Sequence, residues 1–296
     1  MGLGVRIDVA SAHSNLTVYA APFPDRMQRV LASLVSCRSQ DFLSPATASS
    51  IKGKLGFIFG TSYYRFGRAA LQPLMQREYF DSKYSFSAPL PSRLEFMQYV
   101  LPVLPPLAMP LRPSSIPPLI VYTDAMFTPG RPIPVVRIGW VVFDPISGDC
   151  FHSHFLPDSA YISMLTPNQR TYIMQAEGIG AVSPALSLPS LFRGRHVVQF
   201  MDNTAALSSL INGYASKPDM ARIVNVYHLS QFFMRSQVWL EWIPSPANIA
   251  DLPSRLMYEV FVHYLPQSRW IPSVLPPAAV WGGSFRALAA HVQRML

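Results

Sequence analysis

The sequence predicts an α/β protein: a mixed five-stranded sheet flanked by helices, preceded by a small helical module that opens with a β-hairpin. Three observations carry this expectation. Half of the 296 residues are apolar, enough to bury a sizeable core. Apolar residues before position 89 recur mostly at helical spacing, whereas those after 118 fall into short runs separated by turn residues. Between them lie Pro89, Pro91, Pro102, Pro105, Pro106, Pro110, Pro113, Pro117 and Pro118, from a total of 29 prolines, which read as a linker. The expected divisions are a hairpin over 1–21, a helical module over 22–88, a Pro-rich linker over 89–118, an α/β domain over 119–262 and a C-terminal tail over 263–296.

Residues 3–9 (LGVRIDV) and 16–20 (LTVYA) read as two short strands joined by a polar turn, and such a hairpin needs something to pack on. Met27, Val30, Leu31 and Leu34 place a helix over 25–35. Ser44 followed by Pro45 opens a second helix, because the hydroxyl caps free N–H groups of the first turn and proline has no N–H to lose there. Ile51, Leu55 and Ile58 continue it. A third helix carries Ala69, Leu71, Leu74 and Met75, and a fourth runs from about Pro91 and Ser92 to Pro102.

After the prolines the pattern changes to β. Residues 119–123, 137–144 (RIGWVVFD) and 150–156 (CFHSHFL) form three strands with PISGD as a turn between the last two, an antiparallel meander. A helix over 171–181, a strand over 196–201, a helix over 204–214 capped by Asn203, a helix over 219–235 and a strand over 238–243 follow. A loop and a final helix close the chain. The order βββαβααβ describes a sheet covered by helices.

Charge is sparse and basic, with 24 Lys and Arg against 16 Asp and Glu, a net of +8. Residues 1–118 hold 12 bases and 6 acids, and the rest hold 12 and 10. A polyanion partner and a merely solvated basic face both fit this balance. Cys37 and Cys150 form neither a disulfide framework nor a zinc pattern, which points to a reducing, intracellular compartment, cytoplasm or nucleus. No apolar run reaches membrane-spanning length, the start has no signal-peptide layout, and Arg6 stands where myristoylation needs Ser or Thr.

Four acids stand out. Asp124 ends the first strand's apolar run, Glu177 lies in the first helix of the α/β half, Asp202 terminates the fourth strand and Asp251 follows the last. With the first and fourth strands adjacent, Asp124 and Asp202 would be side by side and Glu177 would reach over from its helix. Hydrolysis of phosphodiesters by paired metals needs several carboxylates around two divalent ions about 4 Å apart. Mg²⁺ suits an all-oxygen site. Singly, each acid has an ordinary reading: Asp202 and Asp251 as helix caps, Glu177 as an exposed helical acid.

Together, VYTDAMF (121–127), QAEGIGA (175–181), FMDNTAAL (200–207) and ANIADLPSRL (247–256) make residues 119–257 resemble the ribonuclease H domains of reverse-transcribing elements. The last motif is similar to the retroelement form of that domain. Upstream, residues 50–75 with Lys54-Leu55 and Gly67-Arg68 resemble the segment between polymerase palm and ribonuclease H in DIRS-like, tyrosine-recombinase retroelements. LGVRID looks like the last palm hairpin, and Pro24-x-Arg26 like the start of the thumb-like helices. No Tyr-x-Asp-Asp polymerase motif occurs.

The resemblance implies Mg²⁺-dependent cleavage, with Mn²⁺ as a substitute, of the RNA strand of an RNA–DNA hybrid. It makes Asp124, Glu177 and Asp202 the core ligands and Asp251 the fourth carboxylate. Nucleic-acid contacts fall to Lys52, Lys54, Arg65, Arg68, Asn203 and Arg255, and the partners are the hybrid and the rest of a polyprotein or a separate polymerase. A non-catalytic nucleic-acid-binding remnant, or another nuclease of the same fold such as a transposase or junction resolvase, are the alternatives.

Other residues carry smaller expectations. The family's mobile histidine near the last strand has only His228 as a counterpart, which reads as a helical residue. His152 and His154 alternate on one strand and read as a polar sheet face rather than a metal pair. Tyr63, Tyr64 and Phe66 beside Arg65 and Arg68 either stack on bases or pack between helices. Met126 and Phe127 add bulk beside Asp124. Asp144, Asp149 and Asp158 read as solvated turn residues, and Glu241 as an outward strand residue.

Overall fold

The computed structural model describes residues 4–14, 16–40, 42–61, 65–79, 89–112, 114–129, 135–165 and 171–296. They fall into two units, one of 1–115 with 284–287 and the other of 116–283 with 288–296. No helix among the described residues is long and apolar enough to cross a membrane.

In the first unit, β1 (Val5–Asp8) pairs antiparallel with β2 (Thr17–Pro22). Then come α1 (Pro24–Gln40), α2 (Pro45–Gly60), α3 (Gln72–Tyr79) and α4 (Pro89–Val100). Ser44 caps α2 by accepting from the Thr47 N–H at 3.1 Å, with Pro45 at the first helical position. The Pro-rich stretch read as a linker holds α4 and a third strand, β3 (Leu107–Pro110), which pairs with β2. Proline is tolerated there because α4 starts with it and β3 is an edge strand that ends on it.

The helices pack through Val30, Leu34, Ile51, Leu55, Ile58, Leu74, Leu94 and Phe96, all buried. Phe66 belongs to this core, edge-on to Phe59 at 5.9 Å between ring centres, so it is not a base-stacking residue. Tyr63 and Tyr64 lie outside the described residues.

The second unit is built on a six-stranded sheet. β4 (Leu119–Thr128), β5 (Val135–Phe143) and β6 (Cys150–Phe155) form the expected antiparallel meander. After α5 (Ser159–Ser163), α6 (Ile173–Ser187) and α7 (Pro189–Phe192), β7 (His196–Met201) runs parallel to β4. Then follow α8 (Thr204–Asn212), α9 (Pro218–Met234) and β8 (Gln237–Trp242), the last parallel to β7. The chain ends in α10 (Asp251–Ser254), α11 (Tyr258–Tyr264), β9 (Arg269–Trp270), α12 (Ala278–Gly282) and α13 (Phe285–Met295). The sheet order is β8-β7-β4-β5-β6-β9, so the expected five strands gain β9 at one edge.

Alternation along the strands divides the sheet into two faces. Leu119, Val121, Trp140, Val142 and Val197 bury one face with Ala185, Phe192 and Met234 from α6, α7 and α9. Val141 and Cys150 on the opposite face pack with Ala250 and Phe261 from the region of α10 and α11. The segment read as a C-terminal tail is partly laid on the sheet: the Ile271 N–H bonds the His152 carbonyl, and the Ser273 hydroxyl accepts from the Trp140 indole at 2.8 Å. That bond satisfies the one polar atom of a fully buried indole.

α6 is buried without a break from Gln175 to Leu186. A Cβ on Gly178 would meet Ile223 of α9 at 2.8 Å, and one on Gly180 would meet Ile138 of β5 at 3.1 Å. These two positions let α6 approach the sheet and α9 closely. The helix continues past the predicted end despite Pro184, because the Ser183 hydroxyl bonds the Gly180 carbonyl that proline leaves without its helical donor.

Candidate metal centre

β4 and β7 place the first two acids. Tyr122 and Phe200 are opposite each other in the parallel pair and stack with ring centres 5.1 Å apart. Two residues on from this pair come Asp124, still in β4, and Asp202, one residue past the end of β7. α6 supplies Glu177 from its buried length. One ligand oxygen from each of Asp124, Glu177 and Asp202 lies within 4.8 Å of the others.

Each carboxylate is held. The Ser254 hydroxyl donates to Asp124 Oδ2 and the Ser245 hydroxyl to Asp202 Oδ2, both at 2.5 Å. The Ala125 N–H donates to Glu177 Oε1 at 3.2 Å, while Glu177 Oε2 is buried without a hydrogen-bond partner. Burial pushes the Asp124 carboxyl up to about 6 against the Ser254 hydrogen bond, with repulsion from Asp202 and Asp251 adding to the rise. Burial also lifts Glu177 well above the carboxylate range, helped by Asp124 and Asp202.

Three carboxylates converge with one buried oxygen unpartnered, and no Lys or Arg among the described residues forms an ion pair with them, so a cation would offset their charge. The donor set is all oxygen, which fits Mg²⁺ or Mn²⁺.

Asp251 opens α10 and stands apart from this group. Its Oδ1 accepts from Arg255 Nε at 2.6 Å, one helical turn away. It still faces the cluster, since its charge adds to the rise of both Asp124 and Glu177. The loop before it is pinned by Asn248, whose side-chain amide donates to the Thr123 carbonyl at 2.9 Å. Gly139 lies opposite Asp124 in β5, and the α10 backbone rests on it. Sequence reasoning did not single out Ser245, Asn248, Ser254 or Gly139, although Asn248 and Ser254 stand inside the motif that carried Asp251.

The remaining expected contacts are dispersed. Asn203 caps α8, its Oδ1 accepting from the Ala206 N–H at 3.0 Å. In the first unit, Lys54, Arg65 and Arg68 are exposed, and Lys52 pairs with Glu78 and lies over the Tyr79 ring. His228 is a buried α9 residue whose Nε2 lies 3.0 Å from the Leu210 carbonyl.

Several minor expectations change. His152 and His154 are not an open polar face: His152 packs 4.7 Å from the Phe261 ring and His154 Nδ1 bonds the Tyr258 hydroxyl, because α11 covers that part of the sheet. Asp144 is buried and paired with Arg195 at 3.0 Å. Burial opposes its ionisation, but the Arg195 bond and the Ile146 N–H hold its carboxyl below the usual range. Asp149 pairs with Arg269 at 2.7 Å, and Asp158, exposed as expected, caps α5. Glu241 is exposed as expected and accepts from the Trp239 indole. Phe127 contacts Tyr172 edge-on.

No family profile matches the sequence, and no curated protein does. Among solved structures, ribonuclease H1 of the halophilic archaeon Halobacterium salinarum is similar at 16% identity and a TM-score of 0.36, over 48% of this chain and 98% of that one. The N-terminal ribonuclease H domain of a Mycobacterium tuberculosis protein is similar at 15% and 0.34, over 50% and 97%. A foamy viral protease-reverse transcriptase in complex with double-stranded DNA is similar at 11% and 0.26, over 76% of this chain and 36% of that one.

Proposed function

We propose that the second unit is a metal-dependent endonuclease that cleaves the RNA strand of RNA–DNA hybrids. The observation that carries this reading is the convergence of Asp124, Glu177 and Asp202 from strand, helix and strand end, with one buried carboxylate oxygen left unpartnered. Bound divalent ions supply water activation and charge neutralisation at the phosphodiester. The chain's own residues do the rest. Asp124, Glu177 and Asp202 hold the ions, and Asp251 joins as the fourth carboxylate. Ser254, Ser245 and the Ala125 N–H fix the oxygens in place before any ion arrives, which limits reorganisation on binding.

Arg255 and Asn203 border this centre and contact the substrate backbone. Lys52, Lys54, Arg65 and Arg68 give the helical unit a phosphate-binding role in the manner of a thumb or connection module, and the β1–β2 hairpin corresponds to the end of a polymerase palm. This describes the C-terminal part of a DIRS-like retroelement polyprotein, acting inside the cell with its own or a separate polymerase. Hybrid selection follows minor-groove shape and 2′-hydroxyls.

A panel of end-labelled RNA–DNA hybrid, DNA duplex and RNA duplex with Mg²⁺ tests the reading. Cleavage of the RNA strand of the hybrid alone is expected. Cleavage of the DNA duplex would transfer the site to a transposase or resolvase class, and hybrid binding without cleavage would make the protein a non-catalytic binding remnant.

A further inference from the structure

We infer that Arg137 is a phosphate-holding residue at the rim of the carboxylate centre, gripping the backbone of the strand that lies across it. The inference rests on the nuclease reading and adds to it a residue outside the retroelement motifs. Arg137 stands on β5 opposite Met126 of β4, two residues before Gly139, which faces Asp124. Alternation therefore puts Arg137, Gly139 and Asp124 on one face of the sheet. α10 rests on Gly139, and the Arg137 guanidinium lies at the end of that helix, by the Ser254 carbonyl.

Its partners there are few. Arg137 Nη1 lies 3.5 Å from the Ser254 carbonyl, the outer limit of a hydrogen bond, and Nε is buried without any partner among the described residues. Other partly covered arginines of the unit are engaged: Arg195 with Asp144, and Arg222 with the Trp281 and Gly283 carbonyls. Its charge reaches His154, which burial holds below the ordinary imidazole range with Arg137 adding to the fall, and Tyr258, which burial raises against the pull of Arg137. No carboxylate among the described residues forms an ion pair with Arg137, although Ser254 beside it bonds Asp124. A partly exposed guanidinium with no carboxylate partner among the described residues is suited to the oxygens of a phosphodiester, which it meets through its terminal nitrogens because Nε is buried.

The test measures binding of labelled RNA–DNA hybrid to D124N, which suppresses cleavage, over a series of salt concentrations, with and without R137Q. R137Q is expected to weaken binding about three- to tenfold and to lower the slope of log affinity against log salt by about one. R137K, which keeps the charge and loses the fork, is expected to keep the slope and bind about two- to fivefold more weakly than D124N. An unchanged slope in R137Q overturns the inference whether or not affinity falls, because a merely structural loss leaves the number of phosphate contacts alone. If R137Q does not fold, R137K decides: affinity equal to that of D124N overturns the inference. Failure of D124N itself to bind hybrid contradicts the nuclease reading, and the inference falls with it.

Discussion

A Cβ added to Gly139 would lie 2.5 Å from the Ser254 amide nitrogen, so the turn that carries Asp251 rests on the strand position facing Asp124. Backbone on backbone leaves no side chain to move aside. Gly139→Ala is therefore expected to destabilise the protein by about 1–3 kcal/mol and to lower hybrid cleavage by on the order of a hundredfold, as α10 shifts. Urea unfolding and initial cleavage rates check both. Unaltered stability would show that α10 does not sit there.

Asn248 fastens the same turn from the other end, donating to the Thr123 carbonyl and accepting from the Ala250 N–H. Asn248→Ala leaves buried backbone groups unpaired, with an expected cost of about 1–3 kcal/mol. Asn248→Asp should cost more at neutral pH, since it turns a carboxylate oxygen toward a carbonyl. Chemical denaturation of the two variants side by side gives the order, and an equal or reversed order contradicts the role.

The pH dependence has a fixed sign. The Asp124 carboxyl is raised from 3.8 to about 6, and Glu177 is raised as well, so the folded state binds more protons than the unfolded state above about pH 4. Metal-free stability therefore falls as pH rises through about 4 to 6 and stays lower above. Mg²⁺ binds the ionised carboxylates, so its gain in Tm should grow between about pH 5 and 7, with protons released. Thermal unfolding with Mg²⁺ and with a chelator, across that range, measures this directly. A gain independent of pH would contradict it.

Asp251 differs from the other three acids because Arg255 holds it at 2.6 Å and it lies outside the cluster. Asp251→Asn is expected to weaken Mn²⁺ binding less than about tenfold, and Asp202→Asn more than that. Calorimetry on the two variants decides, and a larger loss in Asp251→Asn would place that residue among the core ligands.

The β4–β7 neighbourhood and the α6 helix were legible because apolar runs and helical periodicity are local signals, and Asp124, Asp202 and Glu177 mark fixed points on them. Pairings distant in sequence were not. Asp144 sits in a turn pattern, and nothing nearby announces Arg195, 51 residues later. β3 and β9 are short edge strands, the first hidden among prolines and the second only two residues long. α11 over His152 and His154 followed no periodic cue that tied it to β6. Ser254 and Asn248 were visible inside their motif, but their use as tethers depends on how α10 meets the sheet. Gly139 gave no local sign, because its need for a missing side chain arises only from the packed turn above it.

The central claim is that Asp124, Glu177 and Asp202 form one metal centre. Titration of the metal-free protein and of Asp124→Asn with Mn²⁺ by calorimetry tests it most directly. Saturable binding in the parent and its loss in Asp124→Asn, with an unchanged fold by circular dichroism, is the predicted result; identical binding in both, or none in the parent, would contradict it.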